Sequence, residues 1–416
     1  VGHRFGTTVG PAVRLAFAFR QEFDTDVVID LIGYRRFGHN EADEPAYTQP
    51  DMYARIKDHP RVAELWADYL VNEKLISEAE VEEQRDAIWN SLTELHHDLK
   101  DRIKAAEAAG SITQQTGEYQ LDRSPSPDVT TAVDKERLLG LNTELLTVPE
   151  GFNVHPKLVK QLERRREAVG PDGGIDWAHA EQLAYASLLT EGIPVRLTGQ
   201  DVERGTFSQR HLVLSDAKTG DRYCPIQHLP GALAPLELHN SPLSEQACLG
   251  FEYGYSAEAP ETFVLWEAQF GDFSNGAQVM IDQFIVSGLA KWGQTTRLTM
   301  LLPHGYEGSG PEHSSARVER FLQLAAEGNI RVANLTTPAQ YFHLLRRQAR
   351  IQKQRPLVIF TPKSLLRLPT ATSRVEHLAD SRFFPVLGEP RVDTAAVKRL
   401  VLCTGKIYYD LVGHPK

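Results

Sequence analysis

The sequence has little cysteine and no long apolar run. Its three cysteines, Cys224, Cys248 and Cys403, are far apart and form no CxxC pair. This excludes a disulfide scaffold and a structural zinc site, and it fits a reducing compartment. No apolar run approaches the ~18 residues that a membrane-spanning helix needs, and there is no charged-then-apolar leader. We therefore expect a soluble cytoplasmic protein without a membrane partner.

Basic residues are fewer than acidic ones. Lys and Arg number 45 against 55 Asp and Glu, which gives a net charge of −10. A surface of that sign repels phosphate backbones, so we expect no nucleic-acid partner. The 416 residues are 41% apolar and 24% charged, which is typical of a globular protein and excludes disorder, collagen and a coiled coil. This length predicts about two to three domains.

Helix-like and strand-like patterns alternate regularly from Asp176 to residue 360. Such alternation predicts an α/β fold with a doubly wound, mainly parallel sheet. Short apolar runs at 27–32 and 397–403 are also predicted to be buried strands, the second followed by a glycine turn and a new helix.

The remaining segments are more polar. Residues 50–115 and 131–169 are charged with helical periodicity and predict a helical connector, with a Ser/Thr/Pro/Asp-rich break around 111–130. Residues 1–10 carry no helix start signal, although a helical pattern follows almost at once. Because a domain does not normally end one element after its first strand, we interpret residues 372–416 as the opening of a truncated domain.

Ligands of a doubly wound sheet bind in the loops that follow the carboxyl ends of its strands. Four such loops, at 34–45, 198–211, 241–245 and 302–315, are rich in polar residues. The sequence has no G-x-S-x-G elbow, no complete P-loop and no H-E-x-x-H, and its GSGPEH lacks the third glycine of a dinucleotide fingerprint. These absences exclude several common catalytic sites.

The first and third loops each allow a simple structural interpretation. Arg35, Arg36 and His39 are candidates to bind a phosphate, but internal salt bridges in a polar loop explain them as well. The neighbouring HNEADE lacks the i, i+4 His pair of a zinc helix. Ser244 is a candidate helix cap, and Glu245 in the first turn would complement the helix dipole.

The second and fourth loops are richer in groups that form hydrogen bonds. Gln200 and Asp201 follow a predicted strand. His304 and His313 lie in a segment with three glycines and two prolines, which favours a shaped loop over solvent cover. Taken alone, these two histidines are as compatible with a structural role as with a catalytic one.

Four long motifs occur in order along the chain: YRRFGHNEADEPAYTQP, GIPVRLTGQDVERGTFSQRH, WEAQFGDFSNGAQVMIDQF and LLPHGYEGSGPEHSSARVER. Together they resemble the thiamine-diphosphate-dependent decarboxylating (dehydrogenase) component of the 2-oxoglutarate dehydrogenase complex, over about residues 12 to 413. The resemblance implies a transketolase-like thiamine-diphosphate-binding fold. It divides the chain into the tail of a diphosphate- and magnesium-binding module (1–50), a helical connector (51–171), a pyrimidine-binding module (172–371) and the start of a truncated C-terminal domain (372–416).

The resemblance also implies roles for individual residues. Glu245 matches the glutamate that shares a proton with the aminopyrimidine ring of thiamine diphosphate, a task that suits a carboxyl shielded by an apolar helix. The cofactor then acts as the electron sink for loss of carbon dioxide. Phe273 matches the aromatic residue that packs on the aminopyrimidine, and His313 the histidine that faces substrate and assists transfer to lipoamide. His39 matches a histidine of the diphosphate-side loop.

Other positions match less clearly. Gln200, Asp201 and His304 resemble loop residues near the cofactor and substrate without a fixed role. Many relatives have His where this chain has Phe37, so any role of that ring is lost or taken over by His39. The magnesium-binding Gly-Asp-Gly motif is expected before residue 1, so we expect no metal ligand in this chain and weak or absent binding of cofactor by the chain alone.

The implied activity is decarboxylation of 2-oxoglutarate and succinyl transfer to the lipoyl group of dihydrolipoyl succinyltransferase, in the tricarboxylic acid cycle. The family implies a homodimer, in the bacterial cytoplasm or, in a eukaryote, the mitochondrial matrix. Two alternatives remain: a catalytically silent assembly or dimerisation fragment, and a dehydrogenase for 2-oxoadipate or a branched-chain 2-oxo acid. The single long chain and the HNEADEP loop favour 2-oxoglutarate.

Overall fold

The computed structural model describes residues 5–40, 42–108, 126–307, 313–389 and 392–415. The chain folds as two compact units, Val1–Gly117 and Glu118–Lys416. Most of the predicted Ser/Thr/Pro/Asp-rich break at 111–130 lies outside the described residues.

The first unit is helical in its described part. Its first helix begins at Phe5, inside the segment that carries no start signal. One 3₁₀ turn, Pro45–Tyr47, follows the polar loop around His39. The α-helices are α1 (Phe5–Phe23), α2 (Pro50–Asp58), α3 (Val62–Asn72) and α4 (Glu78–Ala108).

The strand predicted at 27–32 is wrong. These residues have no regular secondary structure, and the side chain of Val28 is 90% exposed. A strand needs a neighbour to pair its backbone N–H and C=O groups, and the described residues of this unit contain no strand. The apolar run therefore has the composition of a buried strand without the pairing that would make it one.

The second unit contains a six-stranded parallel sheet in the order β4-β1-β5-β6-β8-β7. A short antiparallel pair, β2 and β3, lies outside it. The strands are β1 (Val195–Gly199), β2 (Leu214–Ser215), β3 (Arg222–Tyr223), β4 (Leu236–Asn240), β5 (Phe263–Glu267), β6 (Thr299–Pro303), β7 (Arg331–Ala333) and β8 (Leu357–Thr361).

Helices cover both faces of this sheet. The α-helices are α5 (Lys135–Leu145), α6 (Pro156–Glu167), α7 (Trp177–Thr190), α8 (Glu245–Glu258), α9 (Gln278–Met280), α10 (Gly288–Trp292), α11 (Val318–Leu324), α12 (Pro338–Arg350), α13 (Glu376–Ala379) and α14 (Lys406–Val412). A 3₁₀ helix, Gly271–Ala277, precedes α9, and a π-helical turn, Ile281–Ile285, follows it.

Alternate residues of the central strands enter two separate cores. Phe263 and Leu265 of β5 pack in one core with residues of α5, α7 and α12. Val264 and Trp266 pack in the other with residues of α8 and α11. Because both faces of the strands are buried, their sequences are mainly apolar. The predicted doubly wound parallel sheet is confirmed.

The strand predicted at 397–403 is also wrong. The segment has no strand, and Leu402 is 81% exposed. The predicted glycine turn and helix are present, since Gly405 has a φ of +59° and α14 begins at Lys406. Within the described residues, no helix is both long and apolar enough to cross a bilayer.

Candidate functional site

The loops after β1, β5, β6 and β8 lie at one edge of the parallel sheet because parallel strands end on the same side. Close approach begins at the end of β1. A Cβ atom on Gly199 would lie 2.4 Å from the carbonyl oxygen of Glu267, so this position admits no larger residue without movement. Gly199 thus brings the Gln200 loop directly against the end of β5.

Glu245 is the first residue of α8 and is half-buried. The hydroxyl of Ser244 caps the helix by accepting a hydrogen bond from the backbone N–H of Ala247 at 3.4 Å, as predicted for a cap. The amide of Gln200 donates to Oε1 of Glu245 at 3.3 Å. Two of the residues singled out from the sequence are therefore in direct contact.

The other carboxylate oxygen of Glu245 faces the 3₁₀ segment Gly271–Ala277. A Cβ atom on Gly276 would lie 3.2 Å from Glu245 Oε2. Phe273 belongs to the same segment and lies three residues before Gly276. We call Gln200, Glu245, Phe273, Gly276 and His313 the Glu245 cluster.

His313 joins this cluster through ring contacts. Its ring centroid lies 4.9 Å from that of Phe273, edge to face, and 4.8 Å from that of Phe270. Phe270 and Phe273 are themselves perpendicular, with centroids 5.9 Å apart. Such edge-to-face pairs favour a defined ring orientation. The histidine is thus half-buried against two phenylalanines.

His304 directly follows β6 and forms a hydrogen bond with the backbone of a later residue. Its Nδ1 accepts the backbone N–H of Ala316 at 3.0 Å. Burial, together with the nearby positive charge of Lys363, lowers the pKa of His304. A neutral imidazole that accepts through Nδ1 carries its proton on Nε2. His304 therefore joins two described segments, 304–307 and 313–316, which together we call the bend.

Asp201 and His39 have local partners. Asp201 forms an ion pair with Arg204 in its own loop, and the described hydrogen bonds and ion pairs do not join it to Glu245. His39 is exposed in the first unit, where its backbone N–H donates to Asp43 at 2.7 Å. Among the residues that the structure describes, no three His, Cys, Asp or Glu side chains form a group that could hold a metal ion.

A buried ionic network beneath the sheet edge was not found from the sequence. Arg210 is 1% exposed and directs all its N–H groups to acceptors: both oxygens of Glu181, both oxygens of Glu267 and the carbonyl of Val202. Although burial acts to lower it, the two carboxylates hold the pKa of Arg210 above its usual range. Burial raises the pKa of Glu267, against the effect of Arg210.

This network anchors the loop that carries Gln200. Arg210 donates to the carbonyl of Val202 at 3.1 Å, and Val202 lies two residues beyond Gln200 in the chain. Tyr341 also donates to Glu181 at 2.7 Å. The sequence contained one signal of this network. Glu267 ends the apolar run FVLWE, and a charged residue that enters a core is normally paired.

Comparison with known proteins adds three successive family matches. Residues 7–111 match "Dehydrogenase E1 component", residues 173–369 match "Transketolase, pyrimidine binding domain" and residues 372–416 match "2-oxoglutarate dehydrogenase C-terminal". The Glu245 cluster lies within the second of these matches.

Curated proteins are similar over nearly the whole chain. The chain is 55% identical over 405 residues to the 2-oxoglutarate dehydrogenase E1 component of Geobacillus kaustophilus (strain HTA426), covering 96% of this chain and 42% of the relative. It is 51% identical over 411 residues to the Bacillus subtilis (strain 168) protein of the same name, covering 97% and 43%. The chain therefore spans about two fifths of the length of these relatives.

A solved structure described as "Split gene transketolase, inactive beta4 tetramer" aligns with 46% of this chain and 53% of its own, at 19% identity and a TM-score of 0.32. The two structures are therefore not closely similar.

Proposed function

Because this chain belongs to the 2-oxoglutarate dehydrogenase E1 family and spans about two fifths of the length of its curated members, we propose that it carries part of the active site of a thiamine-diphosphate-dependent 2-oxoglutarate dehydrogenase. Both relatives are named 2-oxoglutarate dehydrogenase E1 component. The Glu245 cluster of this chain supplies residue types that suit thiamine diphosphate. The division into segments 1–50, 51–171, 172–371 and 372–416 is part of the same proposal.

The observation that carries the proposal is the contact of Gln200 with Glu245 beside the segment that bears Phe273. An aminopyrimidine ring offers nitrogen acceptors, an amino donor and a flat apolar face. A carboxyl group, an amide and a phenyl ring are matching partners for these three features. Because Gly276 has no side chain, residue 276 does not cover Oε2 of Glu245. The residues present therefore fit thiamine diphosphate.

Each residue of the cluster has a separate proposed task. When bound, thiamine diphosphate supplies the electron sink for decarboxylation. Glu245 holds a proton at its carboxyl group opposite a ring nitrogen of the pyrimidine. Gln200 orients the carboxylate by donating to Oε1, and Phe273 packs on the ring. His313 faces substrate and assists acyl transfer.

The remaining site assignments are proposals of the same kind. We assign Asp201 to the cofactor side, where its pairing with Arg204 shapes the loop, and His304 to the substrate side. His39 is assigned to the diphosphate side and magnesium to the cofactor. The acyl acceptor is the lipoyl group of a dihydrolipoyl succinyltransferase, and the assembly is a cytoplasmic homodimer.

Steady-state assays of the holoenzyme with an artificial electron acceptor test the function. We expect the largest kcat/KM with 2-oxoglutarate, compared with 2-oxoadipate and branched-chain 2-oxo acids. A larger value for another acid would reassign the substrate. Absence of turnover with every acid, in protein that binds the cofactor, would leave only an assembly role.

A further inference from the structure

Lys363 is a buried cation that the proposed chemistry does not use. It lies two residues beyond the end of β8 and is 6% exposed. Removing an ammonium group from water is costly unless its donors are satisfied. Its contacts therefore show what the fold gains by keeping a lysine at this position.

The Lys363 ammonium group joins the two segments of the bend, 304–307 and 313–316. Its Nζ donates to the carbonyl of His313 at 2.7 Å and to the carbonyl of Gly305 at 3.1 Å. Two further bonds close the same bend: the Gly305 N–H donates to the Ser314 carbonyl at 2.9 Å, and the Ala316 N–H donates to His304. Lys363 lies outside the bend and contacts both of its segments.

The same ammonium group also faces the aromatic part of the Glu245 cluster. Its Nζ lies 5.4 Å from the centroid of the Phe270 ring, within the range of a cation–π interaction. Phe270 contacts both Phe273 and His313. Lys363 thus contacts the backbone of His313 directly and its imidazole through Phe270.

Nearby carboxylates offset part of the cost of burying Lys363. Burial lowers the pKa of Lys363, while the carboxylates of Glu307 and Asp272 act in the opposite direction. A neutral apolar side chain of the same length would avoid the cost of burial. It would also leave the carbonyls of Gly305 and His313 without this donor.

We propose that Lys363 is a positioning residue: it holds the segments 304–307 and 313–316 together and, through the backbone of His313 and the ring of Phe270, sets the orientation of the His313 imidazole toward the substrate. Only the orientation of His313 toward a substrate rests on the proposed function. The structural part, that one ammonium group holds the bend, stands without any assigned activity.

Hydrogen exchange tests the structural part without an activity assay. In Lys363→Met, we expect the amides of Gly305 and Ala316 to exchange at least about tenfold faster than in the unsubstituted protein, because a bond from a charged donor is lost in each segment of the bend. Lys363→Gln, which keeps an amide donor, is expected to show a smaller increase. Unchanged exchange at both amides in folded Lys363→Met would overturn the proposal.

Arg297→Met is the matched control. Arg297 is a partly buried cation that donates to a backbone carbonyl, that of Ala349, in a different part of the sheet. The Arg297→Met substitution should lower the melting temperature without changing hydrogen exchange at the amides of Gly305 or Ala316. Equal acceleration in the control would indicate general loosening and would overturn a specific role of Lys363.

The functional part is tested in the holoenzyme by the ratio of lipoyl transfer to decarboxylation. Lys363→Met should lower this ratio in the same direction as His313→Ala, by about tenfold, and Arg297→Met should leave it unchanged. If His313→Ala lowers the ratio but Lys363→Met does not, positioning by Lys363 is contradicted. If neither lowers it while exchange accelerates, the assigned role of His313 fails and the structural role of Lys363 is upheld.

Discussion

The amide of Gln200 donates to the carboxylate of Glu245 across 3.3 Å. Gln200 follows β1 and Glu245 begins α8, so the bond joins two elements that are 45 residues apart in the chain. Gly276, on a third element, approaches the opposite oxygen. The carboxylate is thus oriented by the sheet edge, the helix start and the 3₁₀ segment together.

Gly276→Ala tests the space beside this carboxylate. The added methyl group would lie 3.2 Å from Glu245 Oε2, so the carboxylate must move by a few tenths of an ångström. We expect kcat of the holoenzyme to fall by about tenfold because misplacement of a reacting group is costly, with little change in melting temperature.

Gly254→Ala is the control for that substitution. Gly254 lies on α8, and a Cβ atom there meets nothing within 4 Å. The change should stabilise the helix by about 0.5–1 kcal/mol and leave kcat unaltered. Equal kcat losses in the two variants would show that the contact with Glu245 is irrelevant.

Arg210→Met tests the buried network. The variant leaves Glu181 and Glu267 facing each other without their shared cation, which should lower the free energy of unfolding by about 3–5 kcal/mol in urea titrations near pH 8. Arg222→Met removes an exposed guanidinium that pairs with Glu203 and should change stability by less than about 1 kcal/mol.

The loss in Arg210→Met should depend on pH. Burial already raises the pKa of Glu267, and removal of the guanidinium raises it further. A carboxyl with a raised pKa in the folded state binds its proton more tightly there than when unfolded, so stability falls as pH rises through that pKa. The deficit should therefore be smaller near pH 5 than near pH 8. A constant deficit would contradict the buried carboxylate pair.

His313→Ala tests acyl transfer. If His313 assists transfer to lipoamide, the change should slow that step by about 10²-fold or more, with a smaller effect on decarboxylation followed by stopped flow with an artificial acceptor. His239→Ala, an exposed position on edge strand β4, should alter neither step. Equal slowing of both steps in His313→Ala would exclude a role specific to transfer.

Sequence patterns predicted the sheet because parallel strands that are buried on both faces are mainly apolar. FVLWE and TMLLP form adjacent strands as expected. The runs at 27–32 and 397–403 are also rich in apolar residues, yet both are exposed. Composition reports that a segment can be buried, whereas a strand also needs a paired neighbour, which no local pattern contains.

The site was predictable in part. Motifs identified Glu245, Phe273 and His313, and the structure brings the rings of Phe273 and His313 into contact, while Gly276 of the Phe273 segment faces Glu245. The contact of Gln200 with Glu245 was not predictable, because it depends on the close approach at Gly199. Lys363 and Arg210 were missed because a charged residue in a loop gives no sequence signal of burial. Such residues are recognised only from their three-dimensional contacts.

Exchange of the thiazolium C2 proton of thiamine diphosphate with deuterium, followed by NMR in the holoenzyme, tests the role of Glu245 most directly. The account predicts that Glu245→Ala slows exchange by about 10²–10⁴-fold, whereas Glu258→Ala, at the exposed end of the same helix, leaves the rate unchanged. Near-normal exchange in Glu245→Ala would contradict the account.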